Sequence, residues 1–343
     1  MRHFIINSLI IFSTVFVVGC KKSTDPTLLK VLTHDSMLGE GSLGELLKKE
    51  FETQTGAKLE YLNSGDAAQM VTRLELDAKR GQASAHVVLG LDDSLWARAK
   101  PLTESWQDWK PDQWNATREF VRIDEDGFLP YDYSVFAFMA DRTLLKKWNL
   151  ESPERYKDLL RPEWKGRFVL EDPRTSTPGL GFLRATHSVF QGEELSNFWK
   201  SLSEQWWALS PGWSAAYGIF LKEQAALVWS YTTSEAYHRA HGDTKKRYVA
   251  VKLKDPHPIQ VEGAAIVKGS LQTEAQRKWA REFLTLLLSE KIQNALPEKN
   301  WMFPVRGDVK LPESFQDVPS PTLLPTKWQE DALLNDWQKW IAK

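Results

Sequence analysis

Apolar runs of strand length alternate with amphipathic stretches of helical spacing from residue 28 almost to the end of the chain. Residues 28–33 read as a strand, 44–54 as an amphipathic helix and 58–62 as a second strand. Residues 67–79 return to helical spacing, and 86–91 form the continuous apolar run expected of a buried strand. This βαβαβ order predicts an α/β sheet with right-handed crossovers. Further strands are expected at 135–140, 168–170, 226–229, 248–251 and 261–267, and helices at 180–190, 196–203, 214–222 and 273–289. No repeat, low-complexity tract or floppy linker interrupts the pattern. That favours two α/β lobes joined by crossing strands over two independent beads.

Residues 4–18 break the alternation. They form one apolar run behind Arg2 and His3, interrupted by Asn7, Ser8, Ser13 and Thr14. A comfortable membrane span needs about 20 apolar residues, so this run has instead the length and basic flank of a secretory signal. It ends Val17-Val18-Gly19-Cys20 before a polar stretch. The ending resembles a bacterial lipobox, which implies cleavage before Cys20 and lipid attachment to its sulfur. Residues 1–19 are then a signal peptide and 20–27 a tether. Each buried CH₂ of such a lipid contributes about 0.8 kcal/mol to anchoring. The alternative is a plain signal peptide with an incidental cysteine.

Composition narrows the function. Lys and Arg number 44 against 45 Asp and Glu, a formal charge of -1, without the basic excess of a general nucleic-acid binder. Cys20 is the one cysteine, which removes a mature disulfide, a cysteine-based zinc site and a cysteine nucleophile from the body of the chain. Gly39-x4-Gly44 is followed by Glu45 rather than the lysine a P-loop needs, and neither G-x-S-x-G nor H-E-x-x-H occurs. His238 and His241 could share a helix face, but no third ligand lies near them in sequence, so an exposed helix face is the expectation and no metal or cofactor site is read.

The chain holds 16 Trp, a residue suited both to cores and to ligand walls. Trp213 precedes a helical segment, Tyr231 and Tyr237 follow a predicted strand, and Trp301 sits in a predicted loop. Each aromatic alone can be core. Together at strand ends they suit a ligand wall, because open α/β sheets bind ligands there. Tyr and Trp faces attract cations, and Asp66, between a predicted strand and helix, could supply counter-charge. Ser176, Thr177 and Pro178 have the signature of a helix start, which is either a plain cap or an anion site.

Several ordered segments carry a resemblance. They are Val88-Leu89-Gly90-Leu91-Asp92, Pro130-Tyr131-Asp132-Tyr133, Asp172-Pro173-Arg174-Thr175-Ser176-Thr177-Pro178-Gly179-Leu180-Gly181, Gly212-Trp213-Ser214-Ala215-Ala216-Tyr217-Gly218, Ser230-Tyr231-Thr232-Thr233-Ser234 and Asn300-Trp301-Met302-Phe303-Pro304. In these the chain resembles the thiamine-binding substrate-binding proteins of bacterial ABC transporters, over about residues 29–340. The resemblance implies a type II periplasmic-binding fold of two lobes that close on a ligand by a hinge. Lobe one would comprise 28–136 and 262–308; lobe two would comprise 137–261 and 309–343, with a Trp-rich C-terminal helix packed on it. It also implies a monomeric extracytoplasmic receptor that delivers thiamine, and its phosphates, to an ABC permease. Trp213, Tyr231, Tyr237 and Trp301 would line the pocket, Asp66 would face the cationic ligand, and Ser176 would meet its hydroxyl or phosphate end.

One wall departs from the family. His34 stands before Asp35-Ser36 where an aromatic is common, and Gly39, Glu40 and Gly41 occupy the place of a tryptophan. His34 and Asp35 thus belong to an altered wall. A protonated imidazole would repel thiazolium, so affinity is expected to fall below about pH 6.5, where an unperturbed histidine charges. Two other classes compete. Thiaminase I shares the fold but uses a cysteine that this chain lacks. A same-fold receptor could carry a related pyrimidine, a polyamine or, through Tyr231 and Tyr237, a ferric ion.

Overall fold

The computed structural model describes residues 25–106, 109–316, 318 and 330–342. Cys20 and the signal and tether read before residue 25 lie outside them. The strands are β1 Leu28–Thr33, β2 Lys58–Asn63, β3 Val87–Asp92, β4 Leu129–Asp141, β5 Phe168–Glu171, β6 Ala208–Ser210, β7 Leu227–Tyr231, β8 Tyr248–Ala250, β9 Ile259–Ile266 and β10 Phe303–Pro304. The helices are α1 Leu43–Thr55, α2 Ala67–Lys79, α3 Trp96–Ala99, α4 Arg142–Lys147, α5 Thr177–Val189, α6 Glu193–Leu202, α7 Trp213–Leu221, α8 Ser234–Ala240, α9 Glu274–Leu287, α10 Glu290–Lys299 and α11 Glu330–Ile341.

The strands follow the order β2-β1-β3-β9-β4-β7-β5-β6, with β8 and β10 pairing on β4. β1 runs parallel to β2 and β3, and β5 parallel to β6 and β7, as crossover helices require. β4 is the shared element. Its first half pairs with β9 up to Val135↔Ile259, and its second half pairs with β7 from Phe136↔Tyr231 onward. All thirteen of its residues are buried. The change of partner coincides with a change of core. Leu29 to Tyr133 and Val261 to Val305 supply one apolar cluster, while Phe136 to Val251 supply two others. The architecture is therefore α/β and two-lobed. The stretch after 308 divides: Phe315 and Val318 are buried in the first cluster, and Trp337 of α11 in the second, edge-on to Trp199 at 5.9 Å.

Several boundaries differ from the sequence reading. The strand expected at 135–140 is the second half of β4; the first half carries the buried polar residues Asp132 and Ser134, which hide it from a hydrophobic pattern. The single helix expected over 273–289 ends at Leu287, because Ser289 caps a new helix by accepting from the Ile292 N–H. α8 has no bounds in the sequence reading, where only the spacing of His238 and His241 points to a helix.

Candidate functional site

A cavity of about 630 Å³ opens between the two cores. Its first wall comes from the turn after β1 (His34 to Ser36), the start of α2, the β3 residue Gly90, the β9 residues Gln260 and Glu262, and the turn after α10. Its second wall comes from the starts of α5 and α7, the end of β7, and α8. Asp35, Asp66, Trp213, Tyr231, Tyr237, Trp301 and His34 all line it. Ser176 does not. It stands at the N-cap of α5, buried, with its hydroxyl lacking a hydrogen-bond partner, while Thr177 and Pro178 reach the cavity.

The aromatic wall is braced from behind. Trp213 donates its indole N–H to Ser230 Oγ at 2.8 Å and stacks on Tyr217 at 4.9 Å. Tyr217 in turn hydrogen-bonds His238 Nε2 through its hydroxyl at 2.8 Å. Tyr231 stacks on Phe136 at 5.0 Å and donates its hydroxyl to Gln260 Oε1 at 2.8 Å. Tyr237, 37% exposed at the rim, meets Trp301 edge-on at 5.1 Å. Trp301 has φ of +56°, a region sparsely used by non-glycine residues and often found at functional sites. The pattern suits flat, cationic ligands, because π faces both stack and attract positive charge.

His238 corrects an expectation. It is buried against Tyr217 and Tyr248 instead of lying on an exposed helix face, and burial first of all drives its pKa down to about 4, which keeps it neutral. His241 stacks separately on Tyr237. Among the described residues no group of three or more His, Cys, Asp or Glu is placed to hold a metal ion.

The opposite wall is acidic. Asp66 caps α2, accepting from the Ala67 N–H at 2.7 Å, and Gln69 completes the capping box. Burial raises its pKa, and the charges of Glu262 and Asp35 add to the rise. A Cβ built on Gly212, at the start of α7, would lie 3.4 Å from Asp66 Oδ2, so the walls approach closely there. Glu262 accepts from Tyr131 Oη at 2.6 Å and from Gln260 Nε2 at 2.8 Å. Its Oε2 lies 3.7 Å from His34 Nε2. Behind the cavity, burial pushes Asp132 and Glu171 well above the usual carboxyl range and Asp92 up to about 6. Asp92 accepts a hydrogen bond from the Thr177 hydroxyl, which ties β3 to the start of α5. The Asp35, Asp66 and Glu262 carboxyls that line the cavity favour positive ligands over anions.

Sequence reasoning missed Glu262, Gln260 and Tyr217. One signal was available: Glu262 is a lone acid inside an apolar strand, where an unpaired charge would be costly.

The model of the bacterial extracellular solute-binding protein family matches residues 38–294. The thiamine-binding periplasmic protein of Salmonella typhimurium strain LT2 is 35% identical over 329 residues, covering 92% of this chain and 94% of its own length. That of Escherichia coli strain K12 is 34% identical over 331 residues, covering 92% and 94%. A solved structure described as a periplasmic thiamin binding protein superimposes with a TM-score of 0.81 at 34% identity, covering 92% of this chain and 96% of that one. The chain therefore belongs to the bacterial extracellular solute-binding protein family and, within it, groups with the thiamine-binding periplasmic proteins.

Proposed function

We propose that the protein is an extracytoplasmic receptor that binds thiamine, and its phosphates, between its lobes and hands it to an ABC permease. The observation that carries the reading is the pairing of an aromatic wall with an acidic one around a single cavity. Thiamine offers a flat aminopyrimidine and a permanently cationic thiazolium. Trp213, Tyr231, Tyr237 and Trp301 stack on the rings, and Asp66 balances the charge. The phosphate or hydroxyl end meets the start of α5, where Ser176 precedes a thirteen-residue helix that begins at Thr177. The change of partner within β4 supports a hinge between Val135 and Phe136. The receptor is a binding protein rather than an enzyme, like the relatives it groups with. It works as a monomer outside the cytoplasmic membrane, held there by lipid on Cys20. No helix among the described residues is long and apolar enough to cross a membrane.

Equilibrium dialysis of the ligand-free protein against thiamine, thiamine monophosphate, thiamine diphosphate, spermidine and ferric ion tests the reading. Retention of a thiamine form in preference to the other two supports it. Retention of spermidine or iron alone would replace it with another cargo.

A further inference from the structure

His34 stands where the acidic wall is densest. It follows β1 directly, and the Cδ2–Nε2 edge of its ring abuts Gly90 of β3: a Cβ built there would come within 2.3 Å of Cδ2 and 2.4 Å of Nε2. Gly90 has φ of +93° and sits at an irregularity in the β3–β9 register, so β3 provides a seat for the imidazole at that point. Nδ1 hydrogen-bonds Ser36 Oγ at 2.7 Å, and a hydroxyl can serve either a protonated or an unprotonated nitrogen. Nε2 is buried without a hydrogen-bond partner and lies 3.7 Å from Glu262 Oε2. Glu262 is held in place by Tyr131 and Gln260, so the carboxylate cannot turn away without breaking two hydrogen bonds.

We propose that His34 is a resident cation of the binding cavity: its imidazolium balances the surrounding carboxylates before capture and releases its Nε2 proton to solvent when a cationic ligand enters, so that ligand capture is coupled to proton release. The inference rests on the thiamine reading, because it needs a ligand that brings a permanent positive charge. The charged groups that face His34 are Glu262 from β9, Asp66 from the start of α2 and Asp35 from its own turn. β3 contributes Gly90 at the contact, with Asp92 at the end of the same strand and Asp93 just beyond it. Lys299, the last residue of α10, is the one lysine or arginine among the described residues that lines the cavity. Burial opposes charging of the imidazole, and the nearby charges of Glu262, then Asp66 and Asp35, outweigh it, so the pKa stands above 6.5. The acid limb of binding therefore begins above the pH expected from an unperturbed histidine. An entering cation competes with the imidazolium for the same carboxylates and repels it, which drives the proton off.

The test is calorimetric titration of the mature chain with thiamine at pH 7 in buffers of different ionisation enthalpy. The slope of observed heat against buffer enthalpy counts the protons exchanged. Wild type is expected to release a substantial fraction of one proton per ligand, and its Kd to rise toward tenfold per pH unit on the acid side. His34→Gln is expected to flatten both the slope and the pH profile, whatever its affinity. Tight thiamine binding with zero slope in wild type, which needs no variant to fold, would overturn this inference and leave the thiamine reading intact. A slope retained in His34→Gln would assign the proton to another group and also overturn it. No thiamine binding at any pH would overturn the ligand reading and this inference with it.

Discussion

Asp92→Asn should stabilise the protein at alkaline pH and lose most of that advantage in acid. Asp92 is fully buried at the end of β3, and burial, then the charge of Asp93, pushes its carboxyl up to about 6 from 3.8. In the unfolded chain the same group titrates near 3.8. The folded state therefore binds the proton more tightly. That contribution is fully present below pH 3.8 and is lost as pH rises through about 6. Moving a carboxyl from 3.8 to about 6 corresponds to about 3 kcal/mol. Asparagine keeps the side chain's size and removes its ionisation. Its carbonyl can still accept from the Ser94 and Leu95 N–H groups, which now bond Oδ1 at 2.9 and 3.2 Å. The Thr177 hydroxyl, which donates to Oδ2, can reverse and accept from the new amide. Urea unfolding at pH 4, 6 and 8 should give a variant more stable than wild type by about 2–3 kcal/mol at pH 8, narrowing to about 1 kcal/mol or less at pH 4. A gap that is constant with pH, or that widens toward acid, would refute the reasoning.

Trp213→Ala should weaken thiamine binding at least about tenfold in equilibrium dialysis, through loss of a stacked, cation-attracting face, whereas Trp207→Ala, remote from the cavity lining and 47% exposed, should change it little. Gly90→Ala should lower the melting temperature by several degrees in scanning calorimetry. The new methyl displaces the His34 ring, and φ of +93° strains any other residue by about 1–3 kcal/mol; an unchanged melting temperature would contradict the seat assigned to His34. Gly212→Leu should hold the walls apart beside Asp66, because even a Cβ at this position would lie 3.4 Å from Asp66 Oδ2. Small-angle scattering should then show no ligand-induced compaction in the variant, against clear compaction in wild type.

The parallel half-sheet was legible because β1, β2 and β3 alternate cleanly with α1 and α2, and local pattern and long-range pairing agree there. β4 was half hidden because Asp132 and Ser134 are buried polar residues serving the region behind the cavity: Asp132 accepts from Asn300 Nδ2 at 2.6 Å and Ser134 bonds Thr233 Oγ1 at 3.0 Å. A hydrophobic pattern cannot see such pairs, because their satisfaction depends on residues far away in sequence. The bounds of α8 and its buried face were hidden for a related reason. Its buried face holds Ser234, Glu235 and His238, with Glu235 accepting from the Ala250 N–H at 2.8 Å. The candidate site followed the same division. The aromatics were found from motifs at strand ends. Glu262 and Gln260 were not, because their importance lies in a chain of hydrogen bonds from Tyr231 to Gln260 to Glu262 to Tyr131 that joins three strands. Ser176 takes the N-cap position of α5 that its motif suggests, but its side chain is buried beside the lining that Thr177 and Pro178 form, a placement the motif alone does not give.

The central claim is that the cavity between the lobes captures thiamine. Calorimetric titration of ligand-free protein, residues 21–343, with thiamine at pH 8 tests it most directly. The account predicts one site per chain with a submicromolar Kd, about -8 kcal/mol or better, and loss of that affinity in Trp213→Ala. Absence of heat at several temperatures, from folded protein proven free of ligand, would contradict it.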